Sequence, residues 1–237
     1  MTTVTRWGER DATLYTEAYA QQYRAQDEAA DRNRSIARFG GWLRHVCERF
    51  DRLIDVLDLG CGTGRYFHAL TRVRRLVGID VSRPMLDRAH HPLGGVAVDL
   101  GRVTLVEADL LSYEFQREEF DLVYSVGVLA EHSPFDETVA SRVHRWLKGG
   151  GRFAFTTVHP KSASLPRTLA RRVGECLEPV VFGAARRTLR ARLMSHGLYA
   201  DEERVREVLR RTHFEVESIE RVQSDVHLHV STVALKT

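Results

Sequence analysis

The chain has 237 residues, 43% of them hydrophobic and 28% charged, which is enough apolar material for one domain with a buried core and too much for a disordered chain. Its formal net charge of +3 is too small to mark a nucleic-acid binder, and its three cysteines, Cys47, Cys61 and Cys176, are too few and too scattered for a disulfide framework or a zinc site. The apolar runs fall far short of the roughly 20 residues needed to cross a bilayer, and Met1 to Arg10 lack the apolar stretch of a signal peptide, so the expectation is one cytoplasmic domain over 1–237 with no membrane span and no metal.

In chain order, residues 1–50 are read as N-terminal helices. Over 11–24, Leu14 and Ala18, and separately Tyr15, Tyr19 and Tyr23, recur every fourth residue and so share helix faces. A second helix is predicted over 33–50, where Ile36, Phe39, Leu43, Val46 and Phe50 recur at three and four. From Leu53 the period changes to short apolar runs alternating with helical stretches, the pattern of a parallel sheet with crossover helices. Strands are predicted at Leu53–Asp58, Leu76–Asp80, Val103–Glu107, Phe120–Val126, Arg152–Val158, Phe214–Glu220 and Val226–Leu235. Helices are predicted at 65–73, at 83–90 after the N-cap Ser82 with Pro84 in the first turn, at 136–147 stopped by Gly149 to Gly151, and at 201–211.

The link between the sixth and seventh strands is too short for a parallel crossover, so that pair should form an antiparallel hairpin. Residues 159–200 are far too many for a simple connection. Their apolar stripes, Leu165, Leu169 and Val173, then Ala185, Leu189 and Leu193, predict two short helices forming a lid after the fifth strand.

Chemistry concentrates in Val56-Leu57-Asp58-Leu59-Gly60-Cys61-Gly62-Thr63-Gly64, a strand ending in an acid and turning through alternating glycines. Glycines let backbone approach a ligand closely, and the next turn offers free N–H groups. A dinucleotide fold would want a glycine where Arg65 stands.

The loop resembles motif I of the class I S-adenosylmethionine-dependent methyltransferases. The resemblance continues in order through Val77-Gly78-Ile79-Asp80-Val81-Ser82, Val106-Glu107-Ala108-Asp109-Leu110, Phe120-Asp121-Leu122-Val123-Tyr124-Ser125 and Leu147-Lys148-Gly149-Gly150-Gly151-Arg152-Phe153. It implies a seven-stranded Rossmann-like sheet with helices on both faces, and S-adenosylmethionine as cofactor. It further implies Gly60, Cys61 and Gly62 against the amino-acid end, Asp80 on the ribose and Asp109 on the adenine amino group. Tyr15, Tyr23, Asp58, Val81, Met85, Leu110 and Ser125 complete the implied cofactor set.

Methyl transfer from a sulfonium asks mainly for alignment, and a phenol, alcohol or ammonium also benefits from a base. His132, after the fourth strand, and His159, ending the fifth, are the candidates. Asp225, His227 and His229 alternate with apolar residues and read as one strand face, not as a metal site. After the fourth strand stands Ser125-Val126-Gly127-Val128, neither the Asn/Asp-Pro-Pro-aromatic motif of amino-methylating DNA, RNA and glutamine enzymes nor a Pro-Cys nucleophile. The reading is methyl transfer to an oxygen or nitrogen of a small-molecule acceptor. The alternatives are an RNA methyltransferase, suggested by the basic residues between Lys161 and Arg192, and a protein that binds the cofactor without transfer.

Overall fold

The computed structural model describes residues 13–29, 34–93, 100–163 and 198–237. Helices α1 (Glu17–Glu28) and α2 (Arg34–Glu48) precede β1 (Ile54–Leu59), β2 (Val73–Asp80), α3 (Arg83–Ala89), β3 (Leu100–Glu107) and β4 (Phe120–Ser125). Then come α4 (Glu137–Trp146), β5 (Leu147–Val158), α5 (Glu202–Arg211), β6 (Phe214–Gln223) and β7 (Leu228–Lys236). The strands form one seven-stranded sheet in the order β3-β2-β1-β4-β5-β7-β6. β1 to β5 are parallel to their neighbours among themselves, and β7 lies antiparallel between β5 and β6, as the short link between the last two strands requires.

Because successive strand residues face opposite ways, each central strand feeds two cores. Val56, Leu122 and Tyr124 pack with Phe39, Leu43 and Val46 of α2 and Leu86 of α3, while Leu57, Val123 and Phe153 pack with Val139 and Val143 of α4 and Val205 and Leu209 of α5. Helices therefore cover both faces. Burying each such side chain contributes roughly 1.5–3 kcal/mol, which explains why β1 and β4 are buried along their whole length.

Three expectations are corrected. The helix expected over 65–73 is a single 3-10 turn, Phe67–Ala69, because the chain has already entered β2 at Val73, where it pairs with Ile54. Gly149 to Gly151 do not stop α4, which ends at Trp146. They lie inside β5 as a bulge, with Phe120 opposite Leu147 but Leu122 opposite Arg152. Tyr15 stands before α1, not within it, because Thr16 is the N-cap and its side chain accepts from Tyr19 N. Ser82 caps α3 as predicted, accepting from Met85 N. Of the lid predicted over 159–200, residues 164–197 lie outside the described residues, and so do most of its basic side chains. No helix among the described residues is long and apolar enough to cross a membrane.

Candidate functional site

The carboxyl ends of β1, β2 and β3 converge on the glycine loop. Gly60 (φ +76°), Gly62 (φ +53°) and Gly64 (φ +71°) all take left-handed conformations that side chains resist. At Gly60 a Cβ would also lie 2.6 Å from a Val128 methyl, so the loop can close against the segment after β4 only without one. Gly60 N and Cys61 N both donate to Ile79 O, at 2.8 and 3.0 Å, which ties the loop to the end of β2.

Three carboxylates are oriented around this loop by different partners. Asp80 accepts from Gly62 N through Oδ2 and from Ser82 N through Oδ1, each at 2.9 Å, so backbone donors orient both of its oxygens. Asp109 accepts from Leu111 N at 2.8 Å. Asp58 accepts a 2.6 Å bond from the Tyr124 hydroxyl. Burial drives the Asp58 carboxyl up, the Tyr124 bond opposes this, and Asp80 adds repulsion, leaving it at about 8. The Cys61 thiol is pushed upward by burial and by the same two acids, which keeps it a neutral wall and not a nucleophile.

α1 closes the cleft from above. Asp27, fully buried, accepts from Thr63 Oγ1 at 3.1 Å and pairs with Arg65 at 2.5 Å. Arg65 lies over the Tyr23 ring, 4.0 Å from its centroid, and Arg24 donates to the carbonyls of Arg88 and His91 at the end of α3. Tyr15 O accepts from Ser82 Oγ at 2.8 Å. These contacts pin the N-terminal helix across the sheet edge and bring Tyr15 and Tyr23 into the cleft.

The cleft holds about 830 Å³ of non-protein space, part of it open to solvent. Of the residues anticipated as cofactor contacts, Tyr15, Tyr23, Asp58, Gly60, Cys61, Gly62, Asp80, Val81, Met85, Asp109 and Leu110 line it, and so does His132. Ser125 does not. Its buried hydroxyl donates to Leu59 O at 2.8 Å, making it a tie between β1 and β4. His159 also stands apart: it is buried, accepts from Lys161 N at 3.0 Å and faces Glu202 at 3.4 Å, and burial lowers its basicity. Strand direction brings it to the right edge of the sheet, but its ring turns toward the N-terminus of α5.

A second cavity, of about 1010 Å³ including open solvent, shares Tyr15, Tyr23, Arg65, Tyr66, Val126, Gly127 and His132 with the first. It adds Tyr19, Asp225, His227 and His229, and also Glu131, which nothing in the sequence singles out. Glu131 and His132 reach it through a tight turn: Val128 O accepts from the N–H groups of Glu131, His132 and Ser133, and Ala130 N donates to Ser133 O. Ala130 adopts φ +56°, a conformation costing a non-glycine residue roughly 1–2 kcal/mol. Burial, moderated by Arg65, brings the Glu131 carboxyl up to about 7. The Tyr15 hydroxyl lies 3.0 Å from His132 Nε2. Among the described residues no group of three or more His, Cys, Asp or Glu is arranged to hold a metal ion.

Residues 56–151 match the family model described as a methyltransferase domain. The chain is 33% identical over 121 residues to a sterol 24-C-methyltransferase of Candida albicans, covering 50% of this chain and 31% of that protein. It is 36% identical over 107 residues to a ubiquinone biosynthesis O-methyltransferase of Pseudomonas syringae pv. tomato, covering 44% of each. It thus spans about a third of the length of the first relative and under half of the second. Among solved structures, magnesium protoporphyrin IX methyltransferase from Synechocystis with bound S-adenosylmethionine shares the fold over 100% of both chains, with a TM-score of 0.65 at 14% identity. Residues 56–151, which run from β1 into β5, thus match a methyltransferase domain, and the likeness to the solved structure extends the same fold over the rest of the chain.

Proposed function

We propose that this chain is a cytoplasmic enzyme that transfers the methyl group of S-adenosylmethionine to an oxygen or nitrogen of a small-molecule acceptor. The observation that carries this reading is the joining of the two cavities at Tyr15, Gly127 and His132, which provides one space for a donor and one for an acceptor with a common wall.

The cofactor suits the residues present. The loop between Asp58 and Gly64 is a backbone cradle that admits no Cβ at Gly60, and its acids lie at the edge where open sheets bind ligands. Gly60, Cys61 and Gly62 would hold the amino-acid end, Asp80 the ribose hydroxyls and Asp109 the adenine amino group, with Val81, Met85 and Leu110 as apolar walls. When bound, the cofactor supplies a methyl group already activated by its sulfonium. The chain's own part is to align the acceptor and exclude water, α1 covering the cleft while the pair of buried Asp27 with half-buried Arg65 holds it in place. Of the two histidines, His132 lines both cavities, whereas His159 is engaged by Lys161 and Glu202. Two buried free thiols, Cys47 and Cys61, agree with a reducing compartment.

Incubation with methyl-labelled S-adenosylmethionine and a fractionated cell extract tests the proposal. Label should pass into the small-molecule fraction with stoichiometric S-adenosylhomocysteine. Label found in RNA would favour the nucleic-acid reading, and cofactor binding with no product in any fraction would leave a binding protein.

A further inference from the structure

The second cavity has a chemical character that the donor cleft lacks. Three tyrosines follow one another along one wall: the Tyr15 and Tyr19 rings meet edge to face at 5.0 Å between centroids, and Tyr19 stacks on Tyr23 at 5.9 Å. Facing the same space is the Glu131 carboxylate, its side chain 19% exposed, with Oε1 3.7 Å from His132 Nε2 and 3.5 Å from His227 Nε2. Arg65 is the guanidinium in this lining, but its charge is matched by Asp27 at 2.5 Å. Burial holds His227 and His229 toward their neutral forms, His229 at about 4. A second carboxylate in the lining, Asp225, accepts from Ser35 N and Oγ at 3.2 and 2.6 Å. With Arg65 and Asp27 cancelling, the space keeps negative charge and aromatic faces.

We infer that this cavity is the acceptor site and that it takes a small amine in its ammonium form, bound by Glu131 against the tyrosine wall. The inference rests on the methyltransferase reading above and narrows it. A cation is attracted both by the carboxylate and by the negative faces of the rings. An anionic acceptor would meet two carboxylates and find Arg65 already paired. A neutral alcohol would gain little from either feature.

Glu131 also gives the amine a way to become a nucleophile, since an ammonium nitrogen has no lone pair to offer. One N–H bond of the ammonium breaks, its electron pair stays on nitrogen, and an O–H bond forms at a Glu131 carboxyl oxygen; that proton later leaves to solvent. A carboxyl pushed up to about 7 by burial accepts and releases a proton more evenly near neutral pH than an ordinary one. The groups facing it are His132 on its own turn, Tyr19 of α1, Arg65 of the glycine loop and His227 of the β6–β7 link.

The test uses two probes that differ only at the polar group, 2-phenylethylamine and 2-phenylethanol, titrated calorimetrically into the full chain saturated with S-adenosylhomocysteine. The amine should bind at least tenfold more tightly than the alcohol. Glu131→Gln should remove most of that preference without changing S-adenosylhomocysteine affinity, and in turnover assays it should lose the rise in amine methylation through about pH 7. Tyr19→Leu, which touches only the second cavity, should weaken the amine more than the alcohol, and it carries the test if Glu131→Gln does not fold. Equal affinity for the two probes, or no saturable amine binding, overturns the amine assignment while leaving the methyltransferase reading in place. Failure to bind S-adenosylhomocysteine at all overturns both.

Discussion

Asp55 and Asp58 lie on the same strand, one at each edge of the sheet, and their surroundings are opposite. At the amino edge, burial tends to raise Asp55, but hydrogen bonds from Arg74 and Lys148 outweigh it and hold the carboxyl at about 2. Lys148 Nζ bridges Asp55 at 2.8 Å and Asp121 at 2.9 Å, and Arg52 adds a 2.8 Å contact to Asp121. At the carboxyl edge, Asp58 has a tyrosine hydroxyl and, among the described residues, no cation in hydrogen-bond contact, and stands at about 8. One edge matches its acids with bases and closes the fold. The other orients Asp80 and Asp109 through backbone N–H groups and Asp58 through a hydroxyl, a setting that suits a polar ligand.

Removing the bridge at the closed edge should have the largest effect. Lys148→Met leaves Asp55 and Asp121 buried with one fewer cation, and unfolding by denaturant should show a loss of about 3 kcal/mol, while affinity for S-adenosylhomocysteine stays unchanged. A loss of affinity equal to that of a cleft variant would mean that the two edges are not independent.

The pH response should separate the edges by sign. Asp55 has a folded pKa below its unfolded one, so its stabilisation is present above about pH 4 and is lost as pH falls toward 2. Asp58 has a raised folded pKa, so its contribution is present below about pH 4 and is lost as pH rises through 8. Thermal melts of Asp58→Asn should therefore gain on the wild type between pH 5 and pH 9. Asp55→Asn should fall behind at pH 7 and draw level toward pH 2. A constant difference across pH for Asp58→Asn would show that its carboxyl is not perturbed.

A smaller effect sharpens the boundary of the cleft. Ser125→Ala deletes one buried hydrogen bond to Leu59 O and should cost about 1 kcal/mol of stability with cofactor affinity unchanged. Weakened binding in this variant would return Ser125 to the site.

Most of the fold was legible because its determinants are local. The period-two runs, the capping Ser82 and the short link before β7 each point to one structure, and the acid-and-glycine spacing after β1 marks the cleft. What escaped the sequence reading depends on distant partners. The 3-10 turn at Phe67 arises because β2 extends back to pair with Ile54, and the glycine bulge of β5 exists because Leu122 must meet Arg152. Glu131 carries no local signal, since it reaches the second cavity only through a left-handed alanine that a sequence gives no reason to expect. The strand-like alternation of His227 and His229 gives no hint of the cavity that they line.

Calorimetric titration of S-adenosylhomocysteine into the wild type and Asp80→Ala decides whether the carboxyl edge of the sheet binds S-adenosylmethionine. The wild type should show one site per chain, and the variant, still folded, should bind about 10- to 150-fold more weakly, as loss of a charged hydrogen-bond acceptor predicts. Equal affinity in the two proteins would place the cofactor away from Asp80.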